Sequence, residues 1–266
     1  MRVRGGYVES DWGQVHYLTA GTSGPWVALF HESPLSSRVY QQVLPILGRH
    51  ARVVAFDTPG YGASDPPPRN GFEIPEYAAV LARAASALGM ADVVFGGVHT
   101  GASLAIEAAH VFDRGARAVV LSGVALFTPE ERADFLANWT PQAPYDVEGG
   151  QFAWAVERYR RIWPNLTTDM LQLAVTELMR VVDRYDWGYQ AAFRHDPGLP
   201  LAALDIPVLL LDAEFDLLAD KDPVALELAK QARLVTLPGL PGQPHLRAPA
   251  EYAHQIAEFL REVAAR

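Results

Sequence analysis

Two residues whose side chains suit acid–base chemistry follow apolar stretches of the chain. His99 comes after the run DVVFGGV and is flanked by Gly97 and Gly101, and Asp216 lies at the end of PVLLLDAEFD. A neutral imidazole has an ordinary pKa of about 6.5, so it can take a proton from water or substrate, and it can also attack a carbonyl. A nearby carboxylate would fix its tautomer and raise its basicity. The chain has no cysteine, which excludes a thiolate nucleophile.

Other forms of chemistry find less support. No G-x-G-x-x-G or Walker loop precedes a predicted helix, so we expect no nucleotide or other cofactor. Histidine and carboxylate ligands would suit several metals, and a site made from His99, His245 and Asp216 can be imagined. The sequence has no H-x-H or H-x-x-x-H spacing at these residues, so we predict no metal.

Short apolar runs and helical patterns alternate through most of the chain. The runs are apolar on both faces, which is typical of strands in a mainly parallel sheet covered by helices on both sides. The alternation predicts the α/β class. The predicted strands are VHYLTA, WVALFH, RVVAFD, DVVFGG, AVVLSG, PVLLLDAE and ARLVTLPG.

Strand patterns are missing between about residues 128 and 204, and this segment is predicted to be mostly helical. We interpret residues 1–127 and 205–266 as the core and residues 128–204 as a helical cap. The cap is rich in aromatic residues, which either close over a pocket or pack the cap onto the core. As substrate-binding candidates it supplies Trp139, Trp154 and Trp187.

Composition narrows the range of partners. The formal net charge is −9 and the sequence pI is about 5.3. An acidic chain has no excess of cations for nucleic acid or an anionic membrane, so we expect a small-molecule substrate. The amino-terminal stretch lacks the apolar run of a signal peptide, and no stretch approaches a membrane span. We therefore expect a cytoplasmic protein, and the sequence leaves open whether it forms a homodimer.

Three motifs in order resemble those of the α/β-hydrolases. HESPLSSRVYQQVLP is similar to their H-G-x-P oxyanion loop, AFDTPGYGASDPP to their D-x-x-G-x-G-x-S turn, and GVHTGAS to their G-x-S-x-G nucleophile elbow. The likeness is greatest to the branch with epoxide hydrolases, haloalkane dehalogenases and C–C bond hydrolases. It implies an α/β-hydrolase fold with an inserted helical cap, and a hydrolase activity.

Carried over residue by residue, the resemblance places His99 where the family has its nucleophilic serine. Thr100 and Ser33 match the residues whose backbone N–H groups form the oxyanion hole, and Asp216 matches the acid. Glu32 stands where the oxyanion loop usually has glycine. Its carboxylate would repel an oxyanion unless it turns away or is protonated, and it could equally bind a polar group of the substrate.

The family's catalytic histidine has no clear counterpart. Counting back seven residues from Pro249, which opens the last helix, leads to Gly242. His245 lies three residues later, so it is either a residue of the pocket rim or a base restored by a rebuilt loop. A glycine at 242 leaves room for the imidazole of His99 to reach Asp216. We therefore predict a His99–Asp216 pair in place of a Ser–His–Asp triad.

This pair suits a small, partly apolar carbonyl substrate. The prediction is hydrolysis with His99 as general base or nucleophile, and a base with its pKa in the ordinary histidine range. Two alternatives stay open: a cofactor-free lyase or isomerase, which needs only a base and an oxyanion hole, and a ligand-binding protein that has lost catalysis.

Overall fold

An eight-stranded sheet forms the centre of residues 1–265, the part of the chain that this computed structural model describes. The strand order is β1-β2-β4-β3-β5-β6-β7-β8. β2 is antiparallel to both β1 and β4, and the other neighbouring strands are parallel, which confirms the predicted fold class. The strands are β1 Arg4–Ser10, β2 Gly13–Ala20, β3 Trp26–Phe30, β4 Arg52–Phe56, β5 Val93–Val98, β6 Ala116–Ser122, β7 Val208–Ala213 and β8 Ala232–Leu237.

Helices cover both faces of the sheet. The α-helices are α1 Leu44–Leu47, α2 Ile74–Ala87, α3 Thr100–Val111, α4 Pro129–Asn138, α5 Gly150–Ile162, α6 Thr168–Met179, α7 Trp187–Arg194, α8 Gly198–Ala203, α9 Asp222–Leu228, α10 Pro244–Arg247 and α11 Pro249–Ala264. Short 3₁₀ helices span Ser37–Tyr40 and Ala219–Lys221. Every residue of β5 and β7 is buried, as expected for central strands between two helical layers.

The first strand was not predicted. β1 pairs with β2 over its whole length, from Arg4 opposite Thr19 to Ser10 opposite Gly13. Its residues alternate between exposed and half-buried, because it lies at the edge of the sheet. An edge strand of this kind needs no apolar run, so the pattern that revealed the central strands was absent.

The sequence VYQQVLPILGRH has a helical pattern that predicts one helix, but the structure does not contain it as one helix. The segment VYQQVLPILGRH forms part of the 3₁₀ helix Ser37–Tyr40 and the four-residue α1, instead of one continuous helix. Pro45 lies at the start of α1, where its missing N–H is tolerated, but it could not continue a helix from the preceding turn.

The segment between β6 and β7 contains α4 to α8 and no strand among its described residues. We call residues 128–204 the helical insert. α4 begins with a capping box in which the side chains of Thr128 and Glu131 each accept a hydrogen bond from the other's backbone N–H. α5 and α6 pack on each other, while α7 contacts α2 and α3 of the core.

The fold collects the candidate residues at one edge of the sheet, where the carboxyl ends of the parallel strands meet. The loops after β3, β5, β7 and β8 carry Glu32, His99, Asp216 and His245 respectively. No helix within residues 1–265 is both long and apolar enough to cross a membrane. The same residues include no group of three or more His, Cys, Asp or Glu side chains that could hold a metal ion.

Candidate active site

His99 occupies a strained turn between β5 and α3. Its backbone angles are φ 49° and ψ −110°, in the positive-φ region that a non-glycine residue rarely adopts. A Cβ at Gly97 would lie 2.1 Å from the carbonyl oxygen of Gly101, and one at Gly101 would lie 2.1 Å from that of Phe30. The flanking positions therefore have no room for a side chain, and the turn has the glycines that it needs.

The turn brings the ring of His99 to Asp216. His99 Nε2 and Asp216 Oδ1 are 2.9 Å apart and share a hydrogen bond, and the same oxygen accepts a second one from the backbone N–H of Leu218. The Asp216 side chain is 1% exposed, whereas that of His99 is 21% exposed. Nδ1 of His99 makes no hydrogen bond within residues 1–265, so it is the ring nitrogen left free to meet a substrate.

The surroundings make His99 a stronger base than an ordinary histidine. Burial lowers the pKa of the imidazole, but the charge and hydrogen bond of Asp216, together with the charge of Glu32, raise that pKa to about 9. Burial acts in the opposite direction on Asp216, and the contact with His99 brings the pKa of that carboxyl below its ordinary value. At neutral pH the resting pair is an imidazolium beside a carboxylate.

Gly123, at the end of β6, gives the imidazole its room. A Cβ at this position would lie 2.2 Å from His99 Cδ2 and 2.7 Å from Nε2. The backbone N–H of Gly123 donates a hydrogen bond of 2.6 Å to Asp212 Oδ2. Burial, with the charges of Asp216 and Asp222, raises the pKa of Asp212 well above its ordinary value. Asp212 therefore holds the backbone of Gly123 in place beside the ring.

We expect Gly123→Ala to move the His99 ring and to lower turnover by about 100-fold, the scale of a misplacement of about 1 Å. Gly239→Ala is the matched control, since Gly239 also has a positive φ (73° against 64°) but has no atom within 4 Å of an added Cβ. Steady-state kinetics of the two folded variants make the test. Equal activities would show that the contact between Gly123 and the ring has no role.

Gly242 lies next to the carboxyl group of Asp216. A Cβ at this position would lie 3.0 Å from Asp216 Oδ2, an oxygen that is buried and has no hydrogen-bond partner within residues 1–265. The backbone φ of Gly242 is 94°, so a histidine here would be strained. Within residues 1–265, His99 is the histidine that hydrogen-bonds Asp216, while His245 affects the Asp216 carboxyl through its charge.

His245 lies apart from the Asp216 hydrogen bond. It sits on α10 with its side chain fully buried, and its Nε2 is 3.2 Å from Oε1 of Glu32. The ring centroid is 5.3 Å from that of Tyr40 and 6.0 Å from that of Tyr252. The structure thus brings together two acid–histidine pairs: His99 with Asp216, and His245 with Glu32.

Glu32 is 4% exposed; its Oε1 has the Nε2 of His245 at 3.2 Å, and its Oε2 has no hydrogen-bond donor within residues 1–265. Burial raises the pKa of Glu32, but His245 more than offsets this and the net pKa is below the ordinary value. The carboxylate is therefore charged. It lies on the oxyanion loop, which His31 holds by donating from Nδ1 to the carbonyl of Glu32 and accepting at Nε2 from the backbone N–H of Thr58.

Two free backbone donors face this region. The amides of Ser33 and Thr100 make no hydrogen bond to any residue in the described range 1–265. Ser33 lies under the helical insert, because a Cβ at Gly188 in α7 would be 2.5 Å from Ser33 Oγ. Both residues are buried, which suits donors meant for a ligand and not for bulk water.

The three tryptophans chosen from the sequence have different surroundings. Trp139, at the end of α4, packs against Phe135, Tyr189 and Phe193. Trp154 on α5 packs edge-on against Tyr185. Trp187 begins α7, next to the Gly188 contact with the oxyanion loop.

A buried cation in the insert was not singled out from the sequence. Arg158 on α5 is 2% exposed, and its guanidinium carbon lies 5.6 to 5.8 Å from four ring centroids. The signal was its spacing, four residues after Trp154 and three after Ala155, inside the buried stripe of the helix. The four rings are those of Trp139, Trp154, Tyr185 and Tyr189.

The chain is similar to known hydrolases. Residues 25–160 match the model of the alpha/beta hydrolase fold family. Haloalkane dehalogenase 2 of Mycobacterium tuberculosis (strain ATCC 25618 / H37Rv) is 34% identical over 84 residues, which cover 32% of this chain and 29% of that protein. The chain is therefore matched to less than a third of the length of this relative.

Solved structures show the same fold. A thermophilic esterase from Thermogutta terrifontis superposes with a TM-score of 0.78 at 20% identity, covering 98% of this chain and 99% of that one. The enol-lactonase from Burkholderia xenovorans LB400 gives a TM-score of 0.76 at 19% identity, covering 96% and 100%. Together with the sequence motifs and the sheet order, the family match shows that the chain belongs to the α/β-hydrolase fold family.

Proposed function

We propose that this protein is a hydrolase of a small, partly apolar carbonyl substrate, with His99 acting as the general base. The observation that carries the proposal is the 2.9 Å hydrogen bond between His99 and Asp216, formed by a ring that a strained elbow lifts above the sheet. A serine at this position would need a separate base to take its proton. A histidine supplies the base itself.

The reaction follows from the two ring nitrogens. In the neutral form, Nε2 carries the proton that is donated to Asp216, and Nδ1 carries the free lone pair. Nδ1 takes a proton from water as the water oxygen attacks the substrate carbonyl, and the resulting imidazolium returns that proton to the leaving group. The amides of Ser33 and Thr100 would hold the oxyanion. Glu32 adds basicity to His99 through its charge, and it offers no hydrogen bond to an oxyanion.

The helical insert would act as a cap over this site. The contact of α7 with the oxyanion loop supports that role, as do the aromatic side chains of α4, α5 and α7. We propose a small organic molecule as the substrate and propose no cofactor for the reaction. The His99 base is paired with Asp216 and lies near Glu32, so its working range is more alkaline than the sequence alone predicted.

Hydrolysis is tested with the wild-type protein on activated esters, enol-lactones and small 1,3-diketones, with release of acid as the readout. We expect turnover without labelling by a fluorophosphonate, since position 99, where the family has its nucleophilic serine, has a histidine and no hydroxyl. Stoichiometric labelling of a serine that abolishes turnover would contradict the proposal. Cleavage or isomerisation without uptake of water would favour the lyase alternative, and binding without any turnover would favour a ligand-binding protein.

A further inference from the structure

Arg158 is a buried cation without an anion. No carboxylate oxygen in the described range 1–265 lies within 4.0 Å of its guanidinium nitrogens. Nη1 donates to the carbonyl oxygen of Trp139 at 3.0 Å, while Nε and Nη2 are buried and lack an acceptor. Burying a charge without a partner is costly, so a chain that keeps one here needs a reason other than stability.

The rings around Arg158 account for part of its environment only. Cation–π contacts stabilise a guanidinium through the faces of the rings. They do not supply hydrogen-bond acceptors in the plane of the guanidinium, where the N–H groups of Nε and Nη2 point. The nearby phenols stay neutral: burial raises the pKa of Tyr189 and of Tyr159 above the ordinary value, although Arg158 acts against this in both. The phenol of Tyr189 also acts on Arg158 as a hydrogen-bonding neighbour, but a neutral phenol does not neutralise the charge. The ring cluster therefore holds the guanidinium in place and leaves its positive charge without a counterion within residues 1–265.

Arg158 is connected to the candidate active site through α7. Its guanidinium carbon lies 5.7 Å from the ring centroid of Tyr189. The preceding residue, Gly188, packs on the oxyanion loop, since a Cβ there would lie 2.5 Å from Ser33 Oγ. Arg158 thus lies on the insert side of a region that has the His99–Asp216 pair on the core side. Arg160 and Arg161 of the same helix are exposed and do not share this position.

We infer that Arg158 binds a carboxylate of the substrate, so that the protein acts on carbonyl compounds that carry a carboxylate elsewhere in the molecule. A planar guanidinium with Nε and Nη2 free matches the two oxygens of a carboxylate in a bidentate pair. The ligand would supply the acceptors and the negative charge that Arg158 lacks. This inference adds a substrate class to the proposed function. The reaction at the carbonyl rests on that proposed function, whereas the binding of a carboxylate by Arg158 does not.

Binding is measured in the His99→Ala protein, so a failure of the catalytic proposal leaves this test unaffected. The probes are butyrate, benzoate, phenylacetate and levulinate, each compared with its neutral amide by calorimetry. We expect at least one acid to bind about 30-fold or more tightly than its amide, the scale of a buried charged hydrogen bond. Arg158→Met should remove this preference, Arg158→Lys should weaken it, and Arg160→Met should leave it unchanged.

Thermal unfolding distinguishes a substrate-binding role of Arg158 from a purely structural role. A residue that only joins the aromatic rings would lower the Tm of the free protein when replaced, whereas an unsatisfied cation should give Arg158→Met a Tm equal to or above that of the wild type. Should Arg158→Met fail to fold, the acid–amide comparison and Arg158→Lys decide the matter. Equal binding of acids and amides, or a preference unchanged in Arg158→Lys and Arg158→Met, would overturn the inference.

Discussion

His99→Ala should lower kcat/KM by about 10²- to 10⁴-fold, the usual contribution of a positioned general base. The variant removes the imidazole and leaves the amides of Ser33 and Thr100 in place, so substrate binding should change far less than turnover. His254→Ala is the control, because His254 is an exposed histidine on α11. Activity retained in His99→Ala would show that the elbow does not carry the chemistry.

The His99→Ser variant tests whether a second base lies close to position 99. His99→Ser would introduce a hydroxyl, but Gly242 places no base beside Asp216, so we expect no esterase activity. Adding Gly242→His would place a histidine at a φ of 94°, where its backbone is strained. We therefore expect the double variant to have at most weak esterase activity. Efficient ester hydrolysis by His99→Ser alone would mean that another base, with His245 the nearest candidate, already serves this position.

Asp216→Asn should shift the pH dependence as well as lower the rate. In the wild type, kcat/KM should rise with pH to a plateau above about 9, because only the neutral form of His99 accepts a proton. Without the charge of Asp216, burial is the leading effect, and the pKa of His99 should fall to about 6.5 or below. The acid limb should therefore move down by two units or more, with a lower plateau from a weaker and less well oriented base.

The control for this variant is Glu214→Gln on the same loop, whose carboxylate is exposed and bonds only the backbone N–H of Gly239. It should keep the wild-type profile. An Asp216→Asn profile that superposes on the wild type would remove Asp216 from the mechanism.

The protonated pair should also affect stability. A folded-state pKa of about 9 against about 6.5 unfolded gives a contribution that is fully present below pH 6.5 and is lost as the pH rises through 9. The activity and the stability supplied by His99 are thus expected to change in opposite directions over this range.

The sequence predicted the central strands and the fold class, because both depend on local patterns. Buried runs marked the strands of the parallel sheet, and the position of Gly242 pointed to a direct contact between His99 and Asp216, which the structure contains. β1 was not predicted because this edge strand has no continuous run of buried apolar residues.

The remaining features depend on which parts of the chain meet in space. Nothing near position 123 in the sequence indicates that a Cβ there would collide with an imidazole from the neighbouring strand. The pKa of His99 was expected near its ordinary value, since the sequence does not show that Glu32 and Asp216 both lie close to the ring. Arg158 becomes notable only when four rings from separate parts of the helical insert are seen around it.

The most direct test of the account is to titrate the His99 ring by NMR in the wild-type protein, assigned with His99→Ala, and to compare it with the pH dependence of kcat/KM. The His99–Asp216 account predicts one transition near pH 9 in both measurements, with turnover increasing as the imidazolium loses its proton. A ring that titrates below pH 6.5, or a rate that decreases through the transition, would contradict the assignment of His99 as a general base held by Asp216.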